Sequence, residues 1–187
     1  MSPDQLVNQA KTKFQNAVAH FRDELKKVRT GRAHPGMLDG VMVEVYGTEM
    51  PLNQTATISA PEAQLLQITP FDPNNLQAIS TAIRNNPSLG MNPSDDGRIV
   101  RVPIPPLNEE RRREYVKVVN GKVEDTMVRL RQARHDTLKE IDQAKKDKDI
   151  GEDDANRLQK QVDEAMNQAK SEIESAAKAK EQEIMTV

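Results

Sequence analysis

The sequence predicts an α+β protein in which a long antiparallel three-helix bundle carries a small mixed β/α/β domain, inserted between its first and second helices. Three observations lead to this prediction. Ten of the eleven prolines lie between Pro35 and Pro106, the 81 residues of 107–187 contain none, and all 14 lysines lie outside 31–106. Because proline breaks helix interiors, the proline-free stretch is free to be almost entirely helical.

The first segment, 3–28, has the periodicity of an amphipathic helix. Its apolar residues recur at steps of three and four, which places them on one helical face. They are Leu6, Ala10, Phe14, Ala17, Val18, Phe21, Leu25 and Val28. Thr30 and Gly31 end this helix.

Two more long helices follow in the proline-free stretch. The second is expected over 108–148, roughly 60 Å at 1.5 Å per residue, with Asn108 as its N-cap. After a turn at 149–151, the third begins at Glu152 with three acidic residues in its first turn. Since the connection is short, these two helices must be antiparallel, and their apolar stripes complete the three-helix bundle.

The middle segment has a different pattern, with short apolar strands and one helix. The sequence predicts strands at 41–47, 55–58, 65–68 and 99–102, and a helix from about 74 to 85 after the Asp72-Pro73 cap. Strands interrupted by one helix indicate a small α+β domain of about 75 residues, long enough to fold alone.

These patterns define two domains and two crossings between them. The bundle is expected to comprise 1–30 and 107–187, and the inserted domain 31–106. One crossing consists of Arg29, Thr30, Gly31 and Arg32, and the other of Pro103, Ile104, Pro105 and Pro106. Two neighbouring linkers can act as a hinge. The alternative is a fixed elbow.

Most catalytic chemistry has no support in the sequence. There is no cysteine, which excludes disulfides and thiolate catalysis. No glycine-rich phosphate loop or paired metal ligands occur, and the three histidines share no helical face. No apolar run approaches the ~20 residues that cross a bilayer, and no secretory signal precedes the first helix. We therefore expect a cytoplasmic protein that is not an enzyme and has no catalytic residue, metal, cofactor, small-molecule substrate or membrane partner.

The arginines are the most informative polar residues. Net charge is −2, but 1–30 carry +3 and 107–150 carry +2. Arg134 falls close to the apolar stripe of the second helix, near Arg129 and Arg131. One interpretation is an ion pair with the acidic third helix. The other is a row of guanidinium groups that bind RNA phosphates, for which the planar arginine fork is suited. Aromatic residues make up only 3%, so any RNA contact should involve backbone and shape rather than base stacking.

Several short stretches, in order and at their spacing, resemble the bacterial ribosome recycling factor family over essentially the whole chain. They are Val28–Ala33, Pro51–Gln54, Pro70–Asp72, Leu89–Pro93, Arg101–Leu107, Glu109–Arg112, Ile150–Asp154 and Lys180–Met185.

The resemblance implies an L-shaped, transfer-RNA-like monomer that binds the ribosome after termination. Its bundle would lie against large-subunit ribosomal RNA, and elongation factor G with GTP would swing the inserted domain and separate the subunits. The rRNA-binding residues expected on this basis are Arg131, Arg134, Arg29, Arg32 and Arg129. The alternative function is a helical-bundle interaction scaffold without ribosome-splitting activity. A third possibility, an RNA chaperone, is disfavoured by the acidic net charge.

Overall fold

The chain forms two compact units in a computed structural model that describes residues 2–87 and 89–186. The bundle unit comprises the residues up to Val28 together with Arg112–Thr186, and the inserted unit comprises Arg29–Arg111. Met1 and Val187, the outer limits of the predicted bundle, lie outside the described residues. No helix in the described ranges is long and apolar enough to span a membrane.

The first helix, α1, spans Pro3–Lys26 and begins with a capping box that the sequence analysis did not identify. The Ser2 side chain accepts a hydrogen bond from the Gln5 backbone N–H, and the Gln5 side-chain oxygen accepts one from the Ser2 N–H at 2.8 Å. Two N–H groups that the helix itself leaves without partners are thereby satisfied. Pro3 occupies the first helical position, where it costs no hydrogen bond.

The predicted second and third helices are confirmed as α4, Glu109–Lys146, and α5, Glu152–Met185. The Asn108 side-chain oxygen accepts a hydrogen bond from the Arg111 N–H at 2.8 Å, which confirms its predicted capping role. The helix α4 runs without interruption through Gly121.

The three apolar stripes meet in one core. Its buried side chains from α1 are Leu6, Val7, Ala10, Phe14, Ala17, Val18, Phe21 and Leu25; those from α4 are Val119, Met127, Leu130 and Ile141; those from α5 are Ala155, Leu158, Val162, Met166, Ala169, Ile173 and Ile184. Two ion pairs show how α1 and α5 run relative to each other. Arg22 of α1 lies 3.9 Å from Glu172, and Asp4 lies 4.0 Å from Arg157. The helices α1 and α5 are therefore parallel.

One ion pair joins α1 to α4 and sets a pH dependence. Lys122 Nζ lies 2.9 Å from Glu24 Oε2, and Lys27 Nζ lies 3.0 Å from Glu24 Oε1. These two ammonium groups, with Lys122 the stronger, lower the pKa of the Glu24 carboxyl from 4.5 to about 2. A lowered carboxyl pKa stabilises the folded state above the unfolded pKa, and this contribution disappears as the pH falls through the folded pKa.

The Glu24→Gln variant is therefore expected to be less stable than the wild type at pH 7, with the difference shrinking between pH 5 and pH 2. Urea denaturation followed by circular dichroism at pH 7, 4 and 2.5 measures this. Glu174→Gln, which changes an exposed carboxylate of α5, is the control. A Glu24→Gln difference that is the same at all three pH values would contradict the assignment.

The inserted unit contains a hairpin and a four-stranded antiparallel sheet. The hairpin pairs β1, Met42–Val45, with β2, Thr48–Pro51. The sheet order is β3-β4-β6-β5, from Ala56–Glu62, Leu65–Pro70, Val100–Pro103 and the short Ser94–Asp95. A single helical turn, α2 (Leu52–Thr55), links the hairpin to the sheet, and α3 spans Leu76–Arg84. All four predicted strands are confirmed; β2 and β5 were not predicted, because neither alternates apolar and polar residues.

The helix α3 begins as predicted from Asp72 and Pro73. The Asp72 side chain accepts from the Asn74 N–H at 2.9 Å and caps a 3-10 turn, Pro73–Asn75, that leads into α3. The core of the inserted unit contains these fully or nearly buried residues: Leu38, Val41, Val43, Val45, Leu52, Ala56, Leu66, Ile68, Leu76, Ile79, Ile83, Met91, Val100, Val102 and Ile104.

Both predicted linkers are packed against the inserted unit. The Ile104 N–H donates to the Gln64 carbonyl at 2.8 Å, and its side chain is part of the core just described. Next to the other linker, the Ala33 N–H donates to the Ala63 carbonyl at 2.6 Å. Gly31 has φ +79°, and a Cβ placed there would lie 3.2 Å from the Leu107 backbone nitrogen. Glycine at 31 thus allows the two linkers to approach each other closely.

Gly31→Ala is expected to destabilise the inserted unit by about 1–2 kcal/mol, because an L side chain is strained at positive φ. The matched control is Gly121→Ala, since Gly121 is helical and a Cβ there meets open space. That control should be neutral or stabilise the bundle by about 0.5–1 kcal/mol. Urea denaturation measures both. A Gly31→Ala protein as stable as the wild type would show that the close approach of the linkers is not required.

Candidate RNA-binding surface

The helix α4 places its candidate arginines on two different flanks. At 100° per residue, Arg131 and Arg134 lie about 60° apart, whereas Arg129 lies about 160° from Arg131. Arg129 is only about 20° from Lys122, the residue that bonds to Glu24 of α1. Arg134 bonds instead to Asp163 of α5. The structure therefore brings Arg131 and Arg134 together on the α5 side and separates Arg129 onto the α1 side.

Arg134 forms the ion pair that the sequence analysis proposed as one of its two interpretations. Its Nε lies 2.5 Å from Asp163 Oδ1, and both side chains remain 38% exposed. The two terminal nitrogens of the guanidinium have no hydrogen-bond acceptor within the described parts of the chain. The ion pair holds the guanidinium through Nε and leaves its outer edge available. Arg134 can therefore keep its ion pair with Asp163 and bind a phosphate at the same time.

Arg131 is held more weakly than Arg134. Its Nη2 lies 3.2 Å from Glu124 Oε1, two helical turns away, and its side chain is 56% exposed. Exposed pairs of this kind are typically worth about 0–1 kcal/mol. A phosphate group can therefore displace Glu124 at little cost. Arg131 and Arg134 form what we call the α4 arginine pair.

Arg129 is exposed, and its side chain has no hydrogen bond or ion pair with any residue that the structure describes. It can meet a phosphate without first breaking another interaction. Its position on the α1 flank means that an RNA helix contacting the α4 arginine pair would need to cross the outer face of α4 to reach it. Arg129 is therefore a candidate for a second, separate contact point on the bundle unit.

Arg29 and Arg32 belong to the inserted unit and differ from each other. Arg29 is half-buried and its Nη2 donates to the Leu89 carbonyl at 3.2 Å, so it also holds the linker in place. Arg32 is exposed, and its side chain has no partner among residues 2–87 and 89–186. Of these two, Arg32 has the side chain that is free to bind a phosphate.

Sequence reasoning did not identify Asp163 as the partner of Arg134, nor Lys122 and Glu24 as the clamp between α1 and α4. The acidic character of α5 was visible, but choosing one carboxylate requires the register of two antiparallel helices. The charge pattern offered an ion pair with the third helix as one of two interpretations and did not indicate which residues would form it.

The structure also tests for a metal site. No group of three or more His, Asp or Glu side chains among them is placed to hold a metal ion. Asp96 and Gly97 lie in the connection between β5 and β6. Asp96 accepts hydrogen bonds from the Arg98 and Ile99 N–H groups and pairs with Arg101 at 2.8 Å. These bonds, with the Ile99 N–H first, lower the pKa of Asp96 to about 2.

Comparison with known proteins agrees with this fold over nearly the full length. The sequence profile described as ribosome recycling factor matches residues 21–185. The chain belongs to the ribosome recycling factor family. It is 45% identical to the ribosome-recycling factor of Mycobacteroides abscessus over 184 residues, 98% of this chain and 99% of that protein. Identity to the Mycobacterium tuberculosis protein is 41% over the same shares.

Two solved structures of this family are similar to the chain. A solution structure of a ribosome recycling factor has a TM-score of 0.78 at 33% identity and covers 100% of this chain and 99% of its own. The second, with a TM-score of 0.66 at 34% identity, covers 99% and 100%. It is described as models for the T. thermophilus ribosome recycling factor and the E. coli elongation factor G bound to the E. coli post-termination complex. Ribosome recycling factors are translation factors and not enzymes, which agrees with the prediction made from the sequence.

Proposed function

We propose that the chain binds the post-termination ribosome and, together with elongation factor G and GTP, promotes dissociation of the ribosome into subunits. The observation that supports this proposal is the similarity of the chain to ribosome recycling factors across both of its units. Members of the family match 98% to 100% of the chain, and one of them is described on a post-termination complex with elongation factor G. On this basis the protein acts in the cytoplasm as a monomer, with no membrane partner.

The bundle unit supplies the attachment. We assign the α4 arginine pair and Arg129 to phosphates of large-subunit ribosomal RNA, with Arg32 and Arg29 as contacts from the inserted unit. Arginine is suited to this contact because its planar fork binds phosphate oxygens in pairs. With only five aromatic residues in the chain, two of them buried in the bundle core, base stacking contributes little.

The inserted unit supplies the moving part. In the segments predicted as a hinge, 29–32 and 103–106, Arg29 and Ile104 bond to the inserted unit. We therefore assign the flexible points to the bundle ends of these segments, next to Val28 and Asn108. A unit with its own core and its own bonded linkers can rotate without unfolding. The bundle transmits force because α4 and α5 are continuous over 38 and 34 residues.

Light scattering of purified ribosomes tests this function. Post-termination ribosomes mixed with the protein, elongation factor G and GTP should lose scattering as subunits separate, and omission of any one component should abolish the loss. The alternative, an interaction scaffold, predicts no loss of scattering and no cosedimentation with large subunits. Either of these results would overturn the proposal.

A further inference from the structure

The bundle unit contains a groove between α1 and α5, which we call the α1–α5 groove. Its volume is about 690 Å³. The buried side chains of Val7 and Phe14 and the half-buried Ala165 form its apolar floor. A volume in this range, with an apolar floor and a few polar groups, is typical of sites that bind ligands.

The two walls of the groove carry matching rows of polar side chains. Each row has one charged side chain between two amides. The members are Asn8, Lys11 and Gln15 on α1 and Gln161, Glu164 and Gln168 on α5. The two amides of each row are seven residues apart, which is about 10 Å along a helix.

The two rows face each other without bonding to each other. The ion pairs that show α1 and α5 to be parallel also place residue 11 level with about residue 163. Lys11 and Glu164 are therefore close to the same level, yet neither forms an ion pair with any residue that the structure describes. The four amide side chains likewise have no hydrogen-bond partner within residues 2–87 and 89–186. The donors and acceptors of both walls are thus open to a ligand.

The chemistry of the walls matches the backbone of an extended peptide. A side-chain amide has both a donor and an acceptor, as a peptide group has. In an extended chain, successive side chains point to opposite faces, and the N–H and C=O groups point sideways. An extended segment in the groove would direct its backbone groups toward the two walls and every second side chain toward the floor. At about 3.3 Å per residue, the distance between the two amides of one row corresponds to about three residues of such a segment.

The lining of the groove disfavours two other classes of ligand. Its aromatic residue, Phe14, is 0% exposed, so it offers no ring face on which a sugar or a base could stack. Among the charged residues of the lining, two carboxylates, Asp4 and Glu164, stand against the single ammonium of Lys11. This balance repels phosphate, so a nucleic-acid backbone is also disfavoured.

We propose that the α1–α5 groove binds an extended segment of a partner protein that has apolar side chains at every second position. Hydrogen bonds from the wall amides to the backbone of the segment supply affinity, and the apolar floor selects the alternate side chains. The site involves none of the arginines assigned to RNA and does not depend on ribosome splitting.

The test uses the full chain and the peptide acetyl-Ser-Val-Ser-Val-Ser-Val-Ser-amide, titrated at 150 mM salt and followed by amide NMR spectra. We expect saturable shifts concentrated on 4–15 and 161–168. A second peptide, with aspartate in place of each valine, should not bind, because its alternate side chains would bring charge onto the apolar floor.

Matched amide variants separate recognition by the walls from a general effect on the helices. Gln15→Ala and Gln168→Ala should each weaken binding by about threefold or more, because each removes hydrogen bonds to the peptide backbone. The controls are Asn16→Ala and Asn167→Ala, which change the neighbouring amides outside the lining and should leave binding unchanged. All four positions are exposed, so circular dichroism should show the wild-type helix content in each variant.

Ala165→Leu tests the floor, because the larger side chain would occupy the space of a peptide side chain. Binding should weaken by about tenfold or more. If this variant does not fold, the results for Gln15→Ala and Gln168→Ala decide. The proposal would be overturned by absence of saturable shifts, by an equal loss in Asn16→Ala or Asn167→Ala, by equal binding of the aspartate peptide, or by preferential binding of maltotriose or an RNA hairpin to the same groove.

Discussion

Replacing both Arg131 and Arg134 with alanine is expected to weaken ribosome binding by about 100-fold. A hydrogen bond to a charged group contributes about 1.5–3 kcal/mol, and each 1.4 kcal/mol is a factor of ten in affinity. The slope of log affinity against log salt concentration should also become shallower by about 0.7–0.9 for each phosphate that the variant no longer binds. Cosedimentation with large subunits at several salt concentrations measures both quantities.

Four single variants distinguish RNA binding from structural pairing. Arg157→Ala removes an exposed arginine of α5 that pairs with Asp4 and Asp154, so it makes the same charge change elsewhere on the bundle. It should change affinity far less than either Arg131→Ala or Arg134→Ala. Asp163→Asn removes the ion pair and keeps the arginine, so affinity should be maintained.

The effect of Arg134→Ala on stability should stay within about 1 kcal/mol, as is typical of a partly exposed pair. If Arg134→Ala instead lowered stability by more than this and left ribosome binding intact, the arginine would have only a structural role.

Replacing Phe14 with alanine is expected to lower the stability of the bundle unit by about 3–5 kcal/mol, because truncation of a buried aromatic ring leaves a cavity. Phe14 is 0% exposed and lies in the bundle core, to which no residue of the inserted unit's core belongs. Amide NMR signals of the inserted unit should therefore persist under conditions in which those of the bundle have disappeared.

The converse variant, Ile79→Ala, acts on the other core. It should lower the stability of the inserted unit by about 2–5 kcal/mol and leave bundle signals intact. Thermal unfolding followed residue by residue measures both variants. If each variant melted the two units together, the chain would be a single cooperative domain, and rotation of one unit as a rigid body would be excluded.

The helical part of this fold was predictable because its information is local and periodic. The buried residues of α1 are nearly those of the predicted stripe, and Asn108 caps α4 as its residue type indicated. The strand β2 was missed because Thr48–Pro51 lacks apolar alternation and is specified by its pairing with β1. Pairing between separate segments cannot be derived from the pattern of one of them.

For the candidate site, the sequence indicated which types of contact the arginines could make, but not which residues would be their partners. The position of Arg134 beside the apolar stripe indicated either an ion pair or a phosphate contact. The structure shows the pair with Asp163, and two guanidinium nitrogens have no acceptor in the part of the chain that the structure describes. Separation of Arg129 from Arg131 follows from helical geometry once α4 is known to be continuous. The close approach of Gly31 and Leu107 joins residues distant in sequence and could not be inferred from either linker.

We expect the inserted unit to move relative to the bundle when elongation factor G acts. Because the chain contains no cysteine, fluorophores can be placed on introduced cysteines without background. One pair, Lys139→Cys with Glu62→Cys, reports across the two units, and the control pair, Lys139→Cys with Gln9→Cys, lies within the bundle; all three positions are exposed.

On ribosomes, addition of elongation factor G and GTP should change energy transfer for the first pair and leave it constant for the second. Unchanged transfer between Lys139→Cys and Glu62→Cys while the subunits separate would show that splitting does not involve movement of the inserted unit.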